Sequence, residues 1–154
     1  MKLTVLSIIK SKPSWVTEQF STYSSRLNKS IQLNWKGLEP VKNGKVSEKD
    51  QIRENGKKLL AYIPDNSFVI ALDQKGDNWN TQKLKNNFEG WISINKEIIF
   101  LVGGQEGLST DCLNRSNLIW SLSNLTLPHS FVPLIVAEQI FRVWSMTQNH
   151  PYHR

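Results

Sequence analysis

Two unbroken apolar runs constrain this chain more than anything else in it: Phe68-Val69-Ile70-Ala71-Leu72 and Ile98-Ile99-Phe100-Leu101-Val102. Neighbouring side chains of a strand point to opposite faces. A continuous apolar run therefore needs cover on both sides, as strands of parallel sheets have. Residues 80–91 between the runs suit a crossover helix, which makes strand, helix and strand one βαβ unit. Residues 3–9 read as another buried strand, and residues 31–35 alternate as a strand with one covered face does. Pro13-Ser14 opens a helix on which Trp15, Phe20, Tyr23 and Leu27 recur at roughly helical spacing. Residues 37–47 are polar, contain Pro40 and Gly44, and are expected to form a mobile loop. Ser47 is the expected N-cap of a helix over 47–62, with Asp50 in a capping-box position. Ser109 caps a further helix whose first turn holds Asp111. A short apolar segment at 118–122 and an amphipathic helix at 131–147 complete the pattern. The expected fold is a single α/β domain over residues 1–154 with a mostly parallel sheet.

Composition narrows the partners. Six Trp and six Phe in 154 residues supply ample core-forming bulk. The net charge of +6 favours polyanionic partners, because each neutralised phosphate releases counterions. Cys112 is the single cysteine, so no internal disulfide forms, and it reads as a small buried helix residue rather than a nucleophile. No stretch reaches the length of a membrane span, and the opening apolar run is too short for a signal peptide. We expect a cytoplasmic protein with no membrane partner. Acidic or cysteine partners at ligand spacing are absent around the histidines, so no metal is expected.

Three segments have chemical potential. Gly103-Gly104-Gln105-Glu106-Gly107 follows an apolar run and precedes a capped helix, where open α/β sheets bind ligands. It lacks the spacing of a dinucleotide fingerprint and the lysine of a P-loop; taken alone, it reads first as a tight βα turn and only second as a site. Ser123-Asn124-Leu125-Thr126-Leu127-Pro128-His129 is an apolar loop that needs cover from chain or ligand. The end of the chain, His150-Pro151-Tyr152-His153-Arg154, holds groups that stack on bases or fork onto phosphate. Lys42, Lys45, Lys49, Arg53, Lys57 and Lys58 form an RNA-facing stripe or, interleaved with Glu48, Asp50 and Glu54, a solvated helix face. With no G-x-S-x-G elbow, hydrolase chemistry at His129 is unsupported.

The order and spacing of Leu101–Ser109, Trp120–His129 and His150–Arg154 resemble the RlmH family of SPOUT-class ribosomal RNA methyltransferases. Met1-Lys2-Leu3, Trp15-Val16, Leu72-Asp73 and Ala137-Glu138-Gln139-Ile140-Phe141-Arg142 are similar to that family as well, so the likeness spans the chain. Gln105 stands where relatives commonly have Pro, and Ser7-Ile8-Ile9 where a Gly is often found. The resemblance implies a carboxyl-terminal trefoil knot whose loops hold S-adenosyl-L-methionine. Carried over by position, the cofactor contacts are Leu72, Gly103, Leu122, Ser123, Asn124, Leu125, Thr126 and Leu127. It also implies a homodimer with the site shared between subunits, and methyl transfer to N3 of a pseudouridine in large-subunit (23S) rRNA of the ribosome. His129, Arg142, Tyr152, His153 and Arg154 are taken as the polar set near the target base. Two other readings are an inactive RNA-binding factor of this fold and a SPOUT enzyme acting on another RNA.

Overall fold

The computed structural model describes residues 1–41 and 46–154. In chain order the elements are β1 (Lys2–Ile8), α1 (Ser14–Ser24), β2 (Gln32–Leu38), α2 (Glu48–Ala61), β3 (Ser67–Asn78) and α3 (Thr81–Ser93). They continue with β4 (Glu97–Val102), α4 (Thr110–Arg115), β5 (Leu118–Ser121), α5 (Val132–Thr147) and a 3-10 turn at Pro151–His153. The five strands form one sheet in the order β2-β1-β4-β3-β5, with every pairing parallel.

Alternation along β4 shows why the apolar runs are unbroken. Ile98, Phe100 and Val102 join a core with Phe20 of α1, Leu84 and Phe88 of α3, and Ile140 and Phe141 of α5. Ile99 and Leu101 join the opposite core, with Leu59 of α2 and Cys112 of α4. Helices thus cover both faces of the sheet. The chain leaves β1 toward the α1 face and β4 toward the α4 face, although the two strands are neighbours. Such a boundary is where doubly wound sheets open a crevice beyond their carboxyl ends.

The expected caps form. Ser47 Oγ accepts a hydrogen bond from the Asp50 amide at 3.2 Å and donates to Asp50 Oδ2 at 2.8 Å. Ser109 Oγ accepts from the Cys112 amide at 3.2 Å. α1 ends at Ser24, so Leu27 is buried just beyond the helix rather than on it. Gly37 and Leu38 complete β2, while Lys42, Gly44 and Lys45 of the expected loop lie outside the described residues.

The main difference from expectation is β3, which runs on to Asn78 instead of stopping at Leu72. After an irregularity between Leu72 and Asp77, its outer half pairs with Trp120 and Ser121 of β5. Trp79 stacks on Trp120 with ring centroids 4.8 Å apart, and that stack ties the polar extension to the core.

Candidate active site

A cleft of about 360 Å³ lies beyond the carboxyl ends of β3, β4 and β5. Its floor is the glycine turn after β4. A Cβ on Gly103 would sit 2.4 Å from the backbone carbon of Gly107, so only hydrogen fits there. Gly107 has φ +91°, and its amide donates to the Gly104 carbonyl at 3.1 Å, which closes the turn.

The opposite wall is the loop after β5. Ser123 Oγ accepts from the Leu125 amide at 2.9 Å, and Ser121 Oγ donates to the Ser123 carbonyl at 3.1 Å. Asn78 Nδ2 donates to the Ser121 carbonyl at 3.3 Å, and Gln74 Nε2 to Thr126 Oγ1 at 2.9 Å. The β3 extension therefore braces this loop from the side. Leu122 and Leu127 are half-buried, whereas Leu125 is 73% exposed. Among the described residues, no hydrogen bond within the chain engages the backbone of Asn124, Thr126 or Leu127. The wall offers apolar surface and unspent backbone donors and acceptors, a combination typical of small-molecule sites. Asp73 and Glu106 add carboxylates to the lining.

Of the residues expected around a cofactor, Leu72, Gly103, Leu122, Ser123, Leu125, Thr126 and Leu127 line this cleft. Asn124 is in the loop but exposed and outside the lining. His129 lines it too, at the junction with a second cavity bounded by the ends of β1 and β2.

Arg142, Tyr152, His153 and Arg154 do not line the cleft. The first two form a separate cluster on α5 and α1. Asn149 adopts φ 52°, a left-handed turn that Asn tolerates, and sends the chain end back against α5. The Tyr152 amide donates to His150 Nδ1 at 3.2 Å. Its ring meets Phe141 edge-on at 4.8 Å, and its hydroxyl donates to Glu138 Oε1 at 3.0 Å, lying 3.3 Å from the Tyr23 hydroxyl. Glu138 also accepts from Arg142. The carboxylate raises the Arg142 pKa, and burial, with help from Tyr23 and Glu138, raises that of Tyr152. Arg142 is then a fixed cation and Tyr152 a fixed neutral donor. The Arg26 guanidinium lies 4.5 Å from the Phe141 ring centre and 5.8 Å from that of Tyr152. His153 Nδ1 is buried with no partner among the described residues. Tyr23, Arg26 and Glu138 were not singled out as site residues from sequence; only folding brings α1 against the chain end. Glu106 enters the lining from within the glycine turn that the sequence marks.

Of the basic residues read either as an RNA-facing stripe or as a solvated helix face, Lys42 and Lys45 lie outside the described residues, and two on α2 are held in ion pairs. Arg53 pairs with Asp50 at 3.0 Å and Lys57 with Glu54 at 2.8 Å, while Lys58 Nζ donates to the Glu39 carbonyl at 3.0 Å. Among the described residues no group of three or more His, Cys, Asp or Glu converges as a metal site, and no helix is long and apolar enough to cross a membrane.

A glycine turn facing an apolar loop across the carboxyl ends of a parallel sheet defines a small-molecule site on an α/β scaffold. A family model described as "Predicted SPOUT methyltransferase" matches residues 1–153, and the chain belongs to that family. Among its curated relatives is the ribosomal RNA large subunit methyltransferase H of Thioalkalivibrio sulfidiphilus, 39% identical over 100% of this chain and 99% of the relative. The proteins of the same name from Coxiella burnetii (38%, 100% of both chains) and Nitrosococcus oceani (37%, 100% and 99%) are similar over the same span.

Proposed function

We propose that this chain transfers the methyl group of S-adenosylmethionine to N3 of a pseudouridine in large-subunit (23S) rRNA, acting as a homodimer on the ribosome in the cytoplasm. The observation that carries this reading is the cleft between the glycine turn and the apolar loop, in a member of a methyltransferase family whose relatives are named for that rRNA.

The cleft suits the donor chemically. Leu122, Leu125 and Leu127 offer an apolar slot for a flat adenine, and the unspent loop backbone offers partners for its polar edge. Asp73 and Glu106 offer negative charge to a ligand bearing a sulfonium and an ammonium. When bound, the donor supplies a methyl group on a positively charged sulfur. The carboxyl-terminal trefoil knot implied by the family resemblance belongs to the same proposal.

The chain's own task is to prepare the acceptor. N3 of pseudouridine carries a proton, and its lone pair is delocalised into two carbonyls. The proton must leave before nitrogen attacks the methyl carbon in line, and that needs positioning plus a base or a cation beside the developing charge. His129, which lines both cavities, is the group we assign to handle that proton. Arg142, Tyr152, His153 and Arg154 act from the partner subunit in this reading, since in one chain they stand apart from the cleft. Arg142 then stabilises negative charge and Tyr152 donates a hydrogen bond.

The test is transfer of labelled methyl from S-adenosylmethionine to ribosomes lacking the modification, with the labelled nucleoside identified. Label on N3-methylpseudouridine is the expected result. Cofactor binding without label in ribosomal RNA overturns the substrate. His129→Ala, Tyr152→Phe and Arg154→Ala should each slow transfer while cofactor affinity holds; unchanged turnover removes that residue from the mechanism.

A further inference from the structure

The second cavity, of about 500 Å³, lies over the β1–β4 boundary, where the chain departs to opposite faces of the sheet. Ile8, Ile9 and Lys10 follow β1 into it; Glu39, Pro40 and Val41 follow β2; Gln51 faces it from α2. Gly104, Gln105, Glu106 and His129 line both this cavity and the first cleft. Two cavities thus share one wall, so a group held in the second lies next to one held in the first.

The walls of this cavity are fixed. Gln51 Nε2 donates to the Val41 carbonyl at 2.9 Å, and Asn55 Oδ1 accepts from the Val41 amide at 2.8 Å, so α2 holds both backbone groups of Val41. Both side chains are buried, and Gln51 Oε1 has no donor among the described residues.

The lining holds the Glu39 and Glu106 carboxylates, and lysines gather at its rim. Lys10 is in the lining. Lys12 donates to the Trp35 carbonyl at 2.7 Å, and its side chain lies beside Ile9 and Gly37. Lys58 holds the carbonyl of Glu39, another lining residue. Burial, and then the nearby charge of Lys36, lower the pKa of Lys12. Among the described residues, none of the four has a carboxylate within 4.0 Å. Each ammonium has three donors, so a backbone contact leaves two free. Lys36 stands on the edge strand β2, Lys10 and Lys12 follow β1, and Lys58 is on α2. Ammonium groups without carboxylate partners gathered from three elements around one cavity suit a strand of phosphates with one base turned inward.

We propose that this cavity takes the acceptor nucleoside and that Lys10, Lys12, Lys36 and Lys58 around its rim hold the flanking RNA phosphates. The inference rests on the proposed methyl transfer to RNA, and it adds the place where the acceptor enters and the groups that hold its backbone.

Two variants test it in the cofactor-saturated protein. Lys12→Gln/Lys36→Gln/Lys58→Gln removes rim charge, and Val41→Trp fills the cavity from a residue that does not line the cofactor cleft. The probes are a single-stranded, pseudouridine-containing RNA oligonucleotide, titrated by fluorescence anisotropy across a salt series, and unmodified ribosomes assayed for methyl transfer. The triple variant should lower the slope of log affinity against log salt by about two to three and cut kcat/KM roughly 10- to 100-fold through KM. Val41→Trp should raise KM with little change in salt slope. S-adenosylmethionine affinity and melting temperature should hold in both, while Lys29→Gln/Lys83→Gln/Lys96→Gln should match the parent. Equal salt slopes in the rim and control variants, or an unchanged KM in Val41→Trp, overturn the proposal. A parent protein that binds the cofactor but leaves ribosomes unlabelled overturns the substrate instead; the oligonucleotide titration still decides the rim.

Discussion

Leu125→Ala tests whether Leu125 serves the proposed cofactor or the fold. Leu125 is 73% exposed and its side chain lines the first cleft, so in the free protein it has little to pack against. The substitution removes three carbon atoms. At about 0.8 kcal/mol per fully buried carbon their removal is worth at most about 2.4 kcal/mol. Since 73% of the residue is still open, a ligand lying on it gains most of that, about 1–2 kcal/mol. Calorimetric titration with S-adenosylmethionine should then give a Kd roughly 5- to 30-fold higher. Thermal unfolding without ligand should change by no more than about 0.5 kcal/mol, the range of ordinary surface substitutions. A melting temperature several degrees lower with an unchanged Kd would refute the reasoning, because Leu125 would then be packing against protein.

Gly103→Ala should weaken cofactor binding by more than about tenfold, as its Cβ would meet the Gly107 backbone at 2.4 Å and force the turn open; calorimetry checks it. Cys112 is buried and burial pushes its thiol pKa up, so alkylating reagents should leave it untouched in the folded protein at about pH 8 and modify it in denaturant. Tyr152 has its pKa raised above the free-tyrosine value, so its neutral form contributes stability that is complete below about pH 10 and fades as pH rises further. Melting curves should therefore fall more steeply above about pH 10 for the parent than for Tyr152→Phe. The pH–rate profile should show no tyrosine ionisation below that point.

What the sequence revealed was local or two-faced. The runs at 68–72 and 98–102 are readable because alternate residues enter different cores, which leaves no polar gap. Ser47 and Ser109 are readable because a cap bonds an amide three residues away. The glycine turn is readable because Gly103 and Gly107 touch within five residues. The outer half of β3 had no such signal: Asp73 to Asn78 is polar throughout, and its strand character comes from β5 more than 40 residues on. The chain end was legible as chemistry but not as placement, since Tyr152 is fixed by Tyr23, 129 residues earlier.

The placement of Tyr152 bears on how a site is assembled. Its hydroxyl, Glu138 and Arg142 form one hydrogen-bonded set with no member in the cleft, while His129 stands at the cleft with none of them as a lining neighbour. A group already satisfied within its own chain presents a fixed donor or cation to whatever docks against it, at no further ordering cost. The Glu138 carboxylate therefore acts as a positioning group in the proposed homodimer: it holds Tyr152 and Arg142 in one arrangement before the partner arrives. Glu138→Gln keeps the shape but removes the charge that anchors Arg142. The expected outcome is lower kcat with cofactor affinity intact, partly restored by Glu138→Asp, measured as methyl transfer beside calorimetry. Loss of cofactor affinity in step with kcat would mean that the cluster supports the cleft of its own chain instead.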